Sequence, residues 1–142
     1  MSTDKIIADK MREFFKNDRY AQLTDVVIEQ ITAERAVCTV DIQDHHLNAS
    51  DRVQGGAIFT LADFTFALAS NYQNFVDDNH CVTVGQSCNI TFLRPAAGKK
   101  LIAKSQCIQK GRKLSVYRVT VTDDLGTNVA ELTGNGYTVP MQ

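Results

Sequence analysis

The sequence predicts an α+β fold: an antiparallel sheet of about six strands wrapped around one central, buried helix, with a short helix in front. Three observations predict it. Residues 55–71, GGAIFTLADFTFALASN, carry a single ionisable side chain, Asp63, and a helix that is apolar around its circumference has no face to give to water. Residues 81–139 run through Val, Ile, Thr and Tyr in stretches punctuated by turn signals, as strands of an antiparallel sheet do. Residues 4–17 place Ile6, Ile7, Met11, Phe14 and Phe15 at helical spacing among charges, the pattern of a helix lying on the outside of a body.

Each element follows in order. Residues 23–42, LTDVVIEQITAERAVCTVDI, are rich in Val, Ile and Thr, and Thr32-Ala33-Glu34-Arg35 offers a turn, so the stretch reads as a two-stranded hairpin. A polar loop beginning at Asp44 leads into the central helix, and residues 74–80 read as a polar connection after it. CVTVGQSCNITFLR, from Cys81, is a long strand ended by Pro95. Residues 98–109 form the next strand, Lys110-Gly111-Arg112-Lys113 a turn, and residues 114–122 a third strand; Asp123-Asp124-Leu125-Gly126 is a second turn, and residues 127–139 close the sheet. Without repeats, low-complexity tracts or linkers, one domain over residues 1–142 accounts for the chain.

Composition narrows the function classes. With 15 basic and 16 acidic residues and a net charge of -1, nothing points to nucleic acid as the main partner. No run reaches the ~18 apolar residues of a membrane span, and the opening MSTDKIIADKMREFF has no secretion signal, so the expectation is a soluble, cytoplasmic protein with no membrane partner. Cys38, Cys81, Cys88 and Cys107 form no CxxC pair and read as buried, reduced thiols. His45, His46 and His80 read as loop histidines without metal-site spacing, so no metal is expected.

The chemistry concentrates in residues 44–72. A carboxylate buried without a partner costs several kcal/mol, so Asp63 is expected to be paired, protonated or used. The first N–H groups of a helix have no partner inside it, and at Gly55 and Gly56 no side chain shields them. Together with the positive end of the helix dipole they suit a carbonyl oxygen on which negative charge develops. Gly55 and Asp63 are eight residues apart, about 12 Å along one helix at ~1.5 Å per residue. That is too far for both to act on one small reacting group, so a second copy of the chain is expected to supply one of them.

These residues resemble a known family. The run Asn48-Ala49-Ser50-Asp51-Arg52-Val53-Gln54-Gly55-Gly56-Ala57-Ile58-Phe59-Thr60-Leu61-Ala62-Asp63 is similar to the motif of PaaI-like thioesterases, which have the hotdog fold and hydrolyse acyl-coenzyme A. The likeness continues through Phe92-Leu93-Arg94-Pro95, Gly111-Arg112, Tyr117-Arg118-Val119 and Asp124-Leu125-Gly126. By this resemblance Asp63 is the catalytic carboxylate, a general base on water or a nucleophile on the thioester carbonyl. It also makes the Gly55 amide the donor that polarises the carbonyl, and Asn48 the polar group near the attacking water or nucleophile, with glycine and asparagine coming from the subunit opposite the acid. A turn-forming role for Asn48 stays open beside this one. The implied assembly is a homodimer or homotetramer, and no cofactor is implied, because coenzyme A is part of the substrate.

The sequence departs from the family pattern at three places. The usual His before Gly-Gly is Gln54, an amide that does not titrate in the working range. The loop glycine is Asp51, and the family's hydroxyl early in the strand after the helix aligns with Gly85. Thr83 and Ser87, two residues to either side, are expected on one strand face as substitutes. Gln54 and Gly56 join them as expected substrate contacts. The phosphates of coenzyme A call for cations, and Arg94, Lys99, Lys100, Lys110, Arg112 and Lys113 are the candidates, with Arg94, Lys110 and Arg112 foremost. Two further readings remain: a hotdog module that binds or senses acyl-coenzyme A without turnover, and a hotdog dehydratase or hydratase, which the lack of a His in the helix region disfavours.

Overall fold

The computed structural model describes residues 3–142. In chain order it contains α1 (Thr3–Phe15), α2 (Arg19–Leu23), β1 (Val27–Ile31), β2 (Ala36–Asp41), a 3-10 turn (Asp44–His46), α3 (Gly55–Asp77), β3 (Cys81–Phe92), β4 (Lys100–Lys110), β5 (Leu114–Asp123) and β6 (Asn128–Pro140). The strands form one antiparallel sheet in the order β1-β2-β4-β5-β6-β3. It wraps around α3, whose Leu61, Phe66 and Leu68 are fully buried against Val40, Leu101, Val119, Val121 and Leu132. The expected α+β hotdog architecture is therefore present.

Two glycines let the helix lie close to the sheet. A Cβ on Gly134 would sit 3.0 Å from the Phe66 ring, and one on Gly136 would sit 2.7 Å from Thr83. Bare backbone on β6 is what gives this large ring its seat.

Polar side chains on the last turns of α3 fasten β3. Asn71 Nδ2 donates to the Thr83 carbonyl at 2.9 Å and Asn71 Oδ1 accepts from the Thr83 amide at 2.8 Å, while Asn74 Nδ2 donates to Thr83 Oγ at 3.0 Å. These bonds explain why residues 74–77, expected in a connection, stay helical. A polar side chain inside a helix is read as a breaker only until a strand is found that satisfies it. The helix ends at Asp78, which adopts the left-handed conformation at φ 48.

The region before β1 also departs from expectation. Residues 19–23 form a short helix that takes Leu23 out of the expected hairpin and includes residues given no element; it is started by Asp18, whose Oδ1 accepts from the Ala21 amide at 3.0 Å. Five residues are too few to show a period. The expected hairpin exists but begins at Val27.

Two features of the sheet position the site. β3 is an edge strand, paired with β6 alone. Its register shifts between Gly85 and Ser87, leaving Gln86 as an extra, bulged residue. At the other end of the sheet Asp123 organises a turn: its Oδ2 accepts the Ala97 and Gly98 amides at 2.8 and 2.9 Å, and its Oδ1 accepts those of Leu125 and Thr127 at 3.0 and 2.9 Å.

Candidate active site

Asp63 is half-buried on α3. The all-round burial expected of this helix is not what the structure shows. The sheet covers one side, and the other opens on a cleft of about 410 Å³ lined by Asp63 with Gly56, Phe59, Thr60, Phe64 and Ala67 of α3 and by Asp18, Tyr20 and Ala21. Burial raises the Asp63 carboxyl above its ordinary range, the Asp18 charge raises it further, and a hydrogen bond from Cys88 pulls it partway back. The result is a carboxylate that binds protons more readily than a solvated one. That is the property a general base near neutral pH needs.

The start of α3 is built differently. Gln54 is its N-cap: the side-chain oxygen accepts the Gly56 amide, and its carbonyl accepts the Ala57 and Ile58 amides at 3.0 and 3.2 Å. The Gly56 amide, expected with Gln54 to touch substrate, is thus engaged by the Gln54 side chain, while Gly56 itself lines the Asp63 cleft; among the described residues the Gly55 amide alone of the first four is left without a partner. Gly55 opens on a second cleft, of about 470 Å³, lined by Asn48, Ser50, Arg52, Val53, Ile58, Phe92, Leu93, Arg94 and Pro95. The Phe92 ring lies where a Gly55 side chain would be, 3.1 Å from an ideal Cβ.

Asn48 serves the loop. Its Oδ1 accepts the Ser50 and Arg52 amides at 2.8 and 3.2 Å, closing a turn in which Asp51 takes φ 59. The family's glycine at this position is explained by that left-handed backbone, which Asp tolerates better than most residues. Asn48 Nδ2 is without a partner among the described residues, so the turn role and a donor role coexist.

The two clefts share no lining residue and have opposite character. The Asp63 cleft holds two carboxylates, Asp18 and Asp63, and no cation; the Gly55 cleft holds two guanidiniums, Arg52 and Arg94, and no carboxylate. Neither guanidinium is ion-paired among the described residues.

Other expected contacts are corrected. Thr83 is buried and committed to Asn74 and to Thr138 Oγ, 2.7 Å away. The bulge at Gln86 turns Ser87 to the outer face, where its Oγ accepts from Asn135 at 2.7 Å. It puts Cys88 instead on the helix side, with Sγ 3.9 Å from Asp63 Oδ1; of the four thiols expected to be buried only Cys38 is, with Cys81 and Cys88 half-buried and Cys107 exposed. A strict period of two assigns the wrong residue, and the only sequence hint was Gly85 inside a strand. Lys110 and Arg112 sit at the β4–β5 turn, beside the Leu114↔Tyr137 pair and hence the Val84 end of β3, whereas Arg94 follows the Phe92 end. Eight strand residues, roughly 26 Å at ~3.3 Å each, separate those ends, so within one chain these cations do not form a single path.

The loop histidines are closer together than their reading implied: His45 Nε2 and His46 Nε2 lie 2.6 and 3.2 Å from Asp25 Oδ2. This trio has the spacing of a cation site. The hydrogen bonds of His46 argue against it, because Nδ1 accepts the Gln43 amide at 2.9 Å and Nε2 faces the Thr24 carbonyl at 2.9 Å. A neutral ring with Nδ1 accepting carries its proton on Nε2 and has no lone pair there for a metal.

The model of the family described as "Thioesterase superfamily" matches residues 52–130, a span that includes Gly55, Asp63, Cys88 and Arg94. The chain belongs to the thioesterase superfamily. Within it, the acyl-coenzyme A thioesterase PaaI of Escherichia coli is 30% identical over 126 residues, covering 88% of this chain and 86% of the relative. A putative esterase of Archaeoglobus fulgidus is 29% identical over 135 residues, covering 94% of this chain and 84% of that one. The structure of the E. coli PaaI protein from the phenylacetic acid degradation operon superposes with a TM-score of 0.87 at 27% identity over 99% of both chains. This superfamily member is thus a PaaI-like hotdog protein and a thioester hydrolase. Among the described residues no helix is long and apolar enough to cross a membrane.

Proposed function

We propose that the protein hydrolyses the thioester of an acyl-coenzyme A, with Asp63 of one copy and the Gly55 amide of another acting on the same carbonyl. One observation carries this reading: the base and the free helix-end amide open into separate clefts of one chain. A second copy supplies the missing half. The single-sided pairing of β3 supports an assembly along that edge, since an unpaired edge of twelve residues invites another strand. Both half-sites flank it, Asp63 through Cys88 and Gly55 through Phe92.

In the reaction, the Gly55 N–H donates to the carbonyl oxygen while water attacks the carbonyl carbon. Asp63 takes the proton that the water loses, and the negative charge on oxygen is held by the amide and the helix dipole. Collapse breaks the carbon–sulfur bond. The thiolate leaves with the proton from Asp63, giving a carboxylic acid and free coenzyme A. Arg52 and Arg94 suit the coenzyme's phosphates.

The test is thiol release from short-chain, long-chain and aromatic acyl-coenzyme A thioesters, with wild type and Asp63→Asn side by side. Hydrolysis by the wild type, reduced at least ~100-fold in the variant, is the expected result. Binding of every thioester without hydrolysis by the wild type would overturn it.

A further inference from the structure

Cys88 plays no part in the reaction as written, yet it touches the group that does. Its thiol is the one hydrogen-bonding partner of the Asp63 carboxylate among the described residues, at 3.9 Å from Sγ to Oδ1. The contact is the product of the bulge at Gln86, which exchanges the faces of Ser87 and Cys88. A Cβ on Gly85 would lie 4.0 Å from Cys88 Sγ and 3.6 Å from the Phe66 ring, so the thiol sits in a slot between β3 and α3.

We propose that Cys88 is the positioning residue for Asp63: its S–H donates to Oδ1, fixing the rotation of the carboxylate and leaving Oδ2 to take the proton from water. This rests on the reading of Asp63 as the general base. A thiol suits the task because it is a weak donor. A stronger donor would stabilise the charged carboxylate and make it a poorer base; with no donor the carboxylate would be free to rotate in its cleft. The remaining groups bearing on Asp63 are few: Asp18, which repels its charge, and the Tyr20 side chain, which lines the same cleft from α2. Cys88 is therefore the one group in contact with Asp63 that favours its ionised form.

The experiment compares wild type, Cys88→Ser and Cys88→Ala by the acid limb of kcat/KM against pH, and by carbon-13 NMR titration of the Asp63 carboxyl in the same proteins. The shorter Cβ–O bond of serine draws its hydroxyl back from Oδ1, beyond the 3.9 Å that the longer thiol spans and out of hydrogen-bond reach, so the limb and the NMR midpoint are expected to move to higher pH by about half a unit or more, with a fall in plateau rate. Alanine is expected to move both to higher pH. Superimposable midpoints in all three proteins would overturn the inference. The NMR arm reads the carboxyl without turnover: midpoints higher in both variants than in the wild type, in a protein that hydrolyses nothing, would keep the positioning role and sink the hydrolytic role of Asp63. Thermal melting of each variant separates these outcomes from loss of fold.

Discussion

Asp63 and Asp123 are both drawn away from water, and the protein treats them in opposite ways. Burial would raise Asp123, but the amides of Ala97, Thr127 and Gly98 outweigh it and hold the carboxyl far below its ordinary range. Asp63 has one thiol at 3.9 Å and a neighbouring carboxylate, and burial wins. The difference teaches how to tell a structural acid from a chemical one. Four amide bonds spend every lone pair and lock the charge; a single weak bond leaves an oxygen free and a proton affinity poised for transfer.

The comparison breaks first if neutralising Asp63 does not cost activity or does cost stability. Asp63→Asn is expected to lose turnover by at least ~100-fold while its melting temperature stays at or above that of the wild type. The sign follows from linkage. A carboxyl whose folded pKa is raised disfavours the fold when ionised, so removing its charge at pH 7 relieves the native state.

Gly55→Pro tests the other half of the site. Proline is well accepted at the first helical position and deletes the N–H there, with a small shift of the Phe92 ring. A loss of about 100-fold is expected, the scale of one oxyanion donor. Co-refolding this variant with Asp63→Asn should restore about a quarter of wild-type activity, because half the dimers are mixed and each carries one intact site of two. No recovery would place both groups in the same chain's site.

Asp123→Asn should do the reverse of Asp63→Asn. One acceptor oxygen becomes a donor facing amides, at a cost of about 2–4 kcal/mol, seen as a melting temperature lower by roughly 5–15 °C for a chain of this size. Wild-type stability from Asp123 is present above the ordinary carboxylate range and is lost as pH falls through its depressed folded pKa. An acid-denaturation profile that loses its steep limb in the variant would confirm the assignment.

Smaller effects follow from the neighbours. Asp18→Asn keeps the α2 cap and removes a repelling charge, so the acid limb of the rate profile should move to lower pH. Gln54→Ala leaves the Gly56 amide unsatisfied and should cost about 1 kcal/mol, a few degrees in a melting scan. Gln54→His should be tolerated; a collapse of activity would give Gln54 a role beyond the cap.

The sequence by itself determined the central helix, because an apolar run with one carboxylate has only one place to go, and it determined the turns, because their residues act locally. The same local signals singled out Asp63 and Gly55, and the resemblance to PaaI-like thioesterases added Asn48. The tertiary structure alone decided which neighbours these residues meet. Gln86 bulges in β3, and one inserted residue exchanges the faces of Ser87 and Cys88. Asn74 stays helical because Thr83 satisfies it from β3. The cations part company because antiparallel pairing sends Arg94 and Lys110 to opposite ends of the sheet. Periodicity records what each residue prefers along the chain; register, bulges and shared clefts depend on partners that are distant in sequence, and only the folded chain chooses among them.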